Sequence, residues 1–97
     1  MAELTRLLLA EGFRVRCVVD AGAVVEDVER ERPAVVVADL LLRDGGLQVA
    51  LALLERGVPL VLVCSINAST STPGLEFVPR PIGPTALRQA VARAVAA

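Results

Sequence analysis

Two uninterrupted runs of apolar residues, rich in Val, stand out along the chain at 34–38 and 60–64. Each run follows a proline, Pro33 or Pro59, which ends a preceding helix and permits a strand to begin. Continuous apolar runs without alternation are typical of strands that are buried on both faces of a parallel sheet. We therefore predict two buried strands here. Residues 14–19 (RVRCVV) predict a third strand nearer a sheet edge, and residues 75–78 (LEFV) a short fourth.

Four stretches with the helical spacing of apolar residues separate and flank these strands. The first ends at Gly12, the second follows the capping residue Asp20, and the last has Pro84 in its first turn. The inward-facing residues predicted for these helices are Leu4, Leu7, Leu8, Val24, Val25, Val28, Leu47, Ala50, Leu51, Leu54, Leu87, Val91 and Val95. The alternation of helices and strands predicts one α/β domain over residues 1–97, with helices covering a parallel sheet.

In the third helix, Val49 and Leu53 fall beside the main apolar stripe and next to each other. An exposed apolar pair of this kind is often incidental, and it is also a candidate partner surface.

Composition excludes several functional classes. The chain is 55% hydrophobic with a net charge of −1, which argues against a disordered segment and against a nucleic-acid partner. It has no His and its only basic residue type is Arg, so the usual general base and the commonest metal ligand are missing. Cys17 and Cys64 lie in apolar runs and are expected to be buried small hydrophobes. Because no apolar run reaches the roughly 18 residues of a membrane span, we expect a cytoplasmic chain.

Polar residues follow the predicted strands at the edge where ligands bind in open parallel sheets. These residues are Asp20, Asp39, Ser65 and Arg80, with Asp44 in the loop after Asp39. A carboxylate exposed at that edge can act as a nucleophile toward a phosphoryl group. Alternatively, Asp39 only ends its strand and caps a turn.

Three segments together resemble the receiver domain of two-component response regulators. Residues 31–65 (ERPAVVVADLLLRDGGLQVALALLERGVPLVLVCS) are similar to the family's centre: a strand ending in Asp, a loop with Asp-Gly, a helix, then Pro and a strand ending in Thr or Ser. Residues 77–91 (FVPRPIGPTALRQAV) resemble its last strand, Lys-Pro step and final helix, and residues 3–15 (ELTRLLLAEGFRV) its first helix and the start of its second strand. The resemblance implies a flavodoxin-like fold.

The resemblance also implies roles for individual residues. Asp39 corresponds to the phosphoacceptor, Cys64 or Ser65 to the hydroxyl position, and Arg80 to the family's Lys. Phe77 corresponds to a switch aromatic, with simple core packing as the alternative. The bond between Arg80 and Pro81 is expected to be cis, as in the family.

The chain departs from the family at the positions that carry its chemistry. The family's first strand, with its acidic pair, and its fourth helix have no counterpart in the pattern, which leaves Asp39 and Asp44 as the only candidate Mg²⁺ ligands. Arg80 replaces a flexible ammonium with a rigid guanidinium, and Cys64 as the matching residue would remove the hydroxyl. We therefore predict a degenerate receiver, not an enzyme, which needs no cofactor. Mg²⁺ would be required only if the phosphoacceptor site functions.

The expected activity of a degenerate receiver is protein–protein interaction in bacterial signal transduction. Its expected partners are a histidine kinase or another signalling protein, and a second copy of the chain in a homodimer. Two alternatives stay open. One is a genuine receiver, seen truncated and phosphorylated on Asp39 by a histidine kinase, and the other is a structural assembly subunit.

Overall fold

The fold follows the alternation of helices and strands along the chain. The structure is a computed structural model that describes residues 2–16, 18, 21–39, 46–64 and 72–96. Its elements are α1 (Ala2–Ala10), α2 (Ala21–Arg30), β1 (Val36–Asp39), α3 (Gly46–Glu55), β2 (Leu60–Cys64), β3 (Leu75–Pro79) and α4 (Pro84–Ala96). The predicted α/β class is confirmed, with three strands and four helices in the described residues.

The three strands form one parallel sheet in the order β1-β2-β3. Val36 is aligned with Leu60, and Leu60 with Leu75. The first ladder bond runs from the Val36 N–H to the Pro59 carbonyl oxygen at 2.9 Å. Every residue of β2 is buried, as its continuous apolar run predicted, because the strand has a neighbour on each side and helices on each face.

Helices cover both faces of the sheet. On one face, Leu4 of α1 and Leu87 of α4 belong to one cluster with Val61 of β2. On the other face, Val28 of α2 and Leu53 of α3 pack in a second cluster with the alternate side chains of β2. Residues along a strand alternate between faces, so β2 contributes to both clusters.

Gly12 ends α1 as predicted, because its backbone has a φ of 90°, a left-handed conformation that favours glycine. Its N–H donates to the Leu9 carbonyl oxygen at 3.0 Å, and the Phe13 N–H donates to the Leu8 carbonyl oxygen at 3.2 Å. The chain then leaves the helix in an extended direction.

The prediction of a strand at 14–19 is wrong for the residues that the structure describes, since 14–16 and Val18 lie outside any strand. The physical reason is at Arg16. Its guanidinium is paired with Asp27 of α2 and with Glu31, the residue that follows this helix, which holds the segment against a helix and not against β1. Cys17, Val19 and the predicted cap Asp20 lie outside the described residues.

The buried face of α3 is rotated from the predicted one. Leu53 is buried, Val49 packs against the same cluster, and Leu51 is 53% exposed. The residues at 49, 50, 53 and 54 share the face that meets the sheet, and the tertiary position of the helix selects this face over the neighbouring one. The interpretation of Val49 and Leu53 as an exposed partner surface is therefore wrong.

The buried face of α4 also differs slightly from the prediction. Leu87, Ala90, Val91 and Ala94 are buried, whereas Val95 is 48% exposed. Ala94 lies closer than Val95 to the line through Leu87 and Val91 on a helix of 3.6 residues per turn, so it takes the inner position. Among the described helices, none is both long and apolar enough to cross a membrane.

Candidate functional site at the carboxyl edge of the sheet

Parallel pairing brings the carboxyl ends of the three strands to one edge of the sheet. Asp39 is aligned with Val63 and Cys64 with Pro79, and Arg80 follows directly. The Arg80 N–H donates to the Cys64 carbonyl oxygen at 2.8 Å. Two strand spacings, about 10 Å, separate the backbones of β1 and β3 at this edge. The topology thus places Asp39, Cys64 and Arg80 side by side in strand order.

The Cys64 side chain faces the protein interior. It is only 5% exposed, and its Sγ lies 3.9 Å from the Val78 carbonyl oxygen, within reach of a weak S–H hydrogen bond. The expectation of a buried thiol is confirmed for Cys64.

Arg80 lies on the exposed side of this edge, where the chain turns from β3 toward α4. The peptide bond between Arg80 and Pro81 is cis, as the resemblance implied. After this step Ile82 is buried, and the Leu87 N–H donates to the Gly83 carbonyl oxygen at 3.0 Å in the first turn of α4. Arg80 is therefore held between two elements that are themselves anchored in the core.

Phe77 is half-buried and packs against the cluster formed by α2, α3 and the sheet. This placement accounts for the residue by core packing, and a switch role for Phe77 stays a prediction.

Several predicted site groups lie outside what the structure describes. These are the side chain of Asp39, Asp44 in the following loop and Ser65 after β2. Only the backbone position of Asp39 enters the geometry, so an ion pair between Asp39 and Arg80 stays a prediction.

The described side chains at this edge supply no oxygen ligand for a magnesium ion. Mg²⁺ takes oxygen ligands in near-octahedral geometry. Cys64, at the end of β2, carries a thiol and Arg80, after β3, carries a guanidinium, and neither group supplies an oxygen. Within the described residues, no group of three or more acidic, His or Cys side chains could hold a metal ion.

Sequence reasoning missed a second feature, a cavity of about 760 Å³ beside β1. Its walls include apolar side chains of α1, α2, β1 and residues 13, 15 and 18. The signal in the sequence was indirect. The sequence pattern predicts four strands, which is one fewer than the resemblance to a receiver domain implies.

Arg16 connects the far wall of this cavity, formed by residues 13–16 and 18, to α2. Its Nε donates to Asp27 Oδ2 at 2.8 Å, and its Nη1 donates to the Glu31 carboxylate. The bond to Glu31 is the largest of the interactions that raise the pKa of the Arg16 guanidinium above its usual range, with Asp27 adding to it. The guanidinium therefore stays charged throughout the physiological pH range.

Comparisons of the chain with models of known protein families, with curated proteins and with solved structures find no match.

Proposed function

We propose that this chain is a degenerate receiver domain with a flavodoxin-like arrangement, which acts as a protein–protein interaction module in bacterial signal transduction. The observation that carries the proposal is the carboxyl edge of the sheet. Three parallel strands bring Asp39, Cys64 and Arg80 together in the order that a receiver would use, but with altered chemistry.

The altered chemistry argues for recognition and against phosphoryl transfer. Phosphoryl transfer depends on positioned charge, chiefly a metal ion and a cation at the transferred group. At this edge the strand-end thiol of Cys64 is buried against Val78, and the cation is the rigid fork of Arg80. An Asp at the end of β1 then serves the structure of the edge and its recognition by a partner.

The layered helices support the same role. Two apolar clusters fix the sheet from both faces, so the carboxyl edge is presented on a rigid support. The proposed setting is cytoplasmic, the proposed partners are signalling proteins such as a histidine kinase, and the proposed free form is a homodimer.

The test is thermal unfolding with beryllofluoride and Mg²⁺, because beryllofluoride resembles a phosphoryl group on a carboxylate. A ligand that binds the folded chain raises the unfolding midpoint. We expect the same midpoint with and without the two reagents, in the wild type and in Asp39→Asn. A Mg²⁺-dependent rise in the wild type that is absent in Asp39→Asn would overturn the proposal in favour of a phosphorylated receiver.

A further inference from the structure

The outer edge of β1 carries backbone groups that face the cavity. Val36 directs its N–H to Pro59 on the β2 side, so alternation along the strand directs the N–H and C=O of Val37 to the opposite edge. Among the described residues, no strand pairs with that edge. An open edge of this kind is a template for pairing with another extended segment.

The cavity has about the volume of a strand of five residues. At the strand and layer spacings of packed sheets, one residue of a buried strand takes up about 160 Å³, so 760 Å³ accommodates about five residues. Side chains from both helical layers reach into it, Leu8 from α1 and Val24 from α2 among them. In consequence Val37 and Ala38 are only half-buried, whereas every residue of β2 is buried.

The far wall of the cavity is held apart from β1. Val15 and Val18 line this wall, and Arg16 between them makes three bonds, one to Asp27 of α2 and two to Glu31 just after the helix. The third of these bonds runs from Nη2 to the Glu31 carbonyl oxygen at 3.2 Å. Because one guanidinium bridges several acceptors, the wall resists collapse onto the strand edge.

We propose that this cavity binds one extended, apolar segment of about five residues from a partner protein, which adds a strand to the open edge of β1. The inference deepens the proposed function, on which it rests for the expectation that the partner is a protein. Strand addition supplies affinity through main-chain hydrogen bonds and specificity through pockets for alternate side chains. Apart from Thr5 and Asp27, the side chains that the helices present to the two faces of the added strand are apolar, so the segment is expected to be mostly apolar.

Two observations favour a partner segment over a small apolar molecule or a second copy of the chain. They are the open backbone edge of β1 and the mutual pairing of the described strands. A lipid or another apolar small molecule would fill the volume but leave the β1 edge unpaired, at a cost for each buried polar group. A second copy of the chain would have to break existing strand pairs to donate one of its three described strands.

The test uses the peptide acetyl-Val-Leu-Val-Leu-Val-Lys-Lys-amide and the same peptide N-methylated at its five apolar residues. N-methylation keeps the apolar side chains and removes the N–H donors. We expect the first peptide to shift the backbone amide resonances of Val35 and Val37 and to raise the unfolding midpoint. The methylated peptide is expected to bind at least tenfold more weakly.

A matched pair of variants tests the cavity itself. Val15→Trp fills the cavity from its far wall and should abolish peptide binding, while Leu9→Trp, on an exposed position outside the lining, should bind as the wild type does. Circular dichroism checks that both variants are folded. If Val15→Trp is unfolded, the comparison of the two peptides on the wild type still decides.

Four results would overturn the inference. They are no binding of the first peptide, equal binding of the methylated peptide, binding of dodecanoate in place of the peptide, and a dimer that the peptide dissociates. The last would assign the cavity to a second copy of the chain. None of these measurements tests the carboxyl edge of the sheet at Asp39, whereas the beryllofluoride experiment does. This inference can therefore fail while the proposed function stands.

Discussion

The backbone of Cys64 lies at the candidate site, but its side chain is part of the core. The residue ends β2 beside Arg80, yet its thiol points into the core and lies 3.9 Å from the Val78 carbonyl oxygen. That distance suits a weak sulfur donor but not a hydroxyl, whose hydrogen bonds are about 2.7–2.8 Å long. The thiol therefore serves this position mainly as a small apolar group.

At this scale we predict that Cys64→Ser lowers the free energy of unfolding by about 1–3 kcal/mol, because the hydroxyl is buried with poor hydrogen-bond geometry. Cys64→Val keeps the apolar character at a similar volume and should cost less than about 1.5 kcal/mol. Urea denaturation of the three proteins measures both values. A serine variant more stable than the valine variant would show that the pocket is polar.

At the scale of the element, α3 is defined by the face that it buries. Leu53 is 1% exposed and packs between α2 and the sheet, while Leu51, two residues earlier, is 53% exposed. Both are leucines in one helix of ten residues, so local helix propensity does not distinguish them. Only the position of α3 on the sheet does.

We predict that Leu53→Ala lowers the free energy of unfolding by about 2–5 kcal/mol, through lost burial and the cavity left behind. Leu51→Ala is the matched control and should change it by no more than about 0.5 kcal/mol. Since small domains have a total stability of about 5–15 kcal/mol, the first variant should show a clearly lower midpoint in chemical denaturation. Similar losses in both variants would contradict the assigned face of α3.

At the scale of the whole molecule, the three-stranded sheet has two edges and several exposed apolar side chains. The outer edge of β3 has no paired strand among the described residues, although Pro79 removes one N–H donor from it. Leu9, Leu51 and Val95 are each about half exposed. Edges and apolar positions of this kind are normally covered by a partner.

We predict self-association of the free chain at micromolar concentration. An isologous contact uses each exposed patch twice, so a dimer through the outer edge of β3 covers the surface with the fewest copies. Sedimentation velocity over a concentration series measures the oligomeric state. A compact monomer throughout the series would contradict the prediction.

Features that depend on burial alone could be predicted from the sequence. The run from Leu60 to Cys64 forms β2 with the predicted bounds, because a strand covered on both faces must be apolar at every position. The predicted strand at 75–78 forms β3 with one further residue, Pro79, and the α/β class follows from the alternation of helices and strands. The end of α1 follows from the freedom of Gly12 to adopt a positive φ. The backbone order of Asp39, Cys64 and Arg80 at one edge follows from parallel strands that end at these positions.

Features that depend on which distant residue of the same chain a side chain contacts were decided by the tertiary structure. The run at 14–19 (RVRCVV) has the partly alternating pattern of a strand, but Arg16 pairs with Asp27 of α2 and with Glu31, and no local pattern encodes that choice. The inner faces of α3 and α4, and the cavity beside β1, likewise arise only when the helices are placed on the sheet. The physical reason is that periodicity specifies which residues need burial, whereas packing selects the surface that buries them.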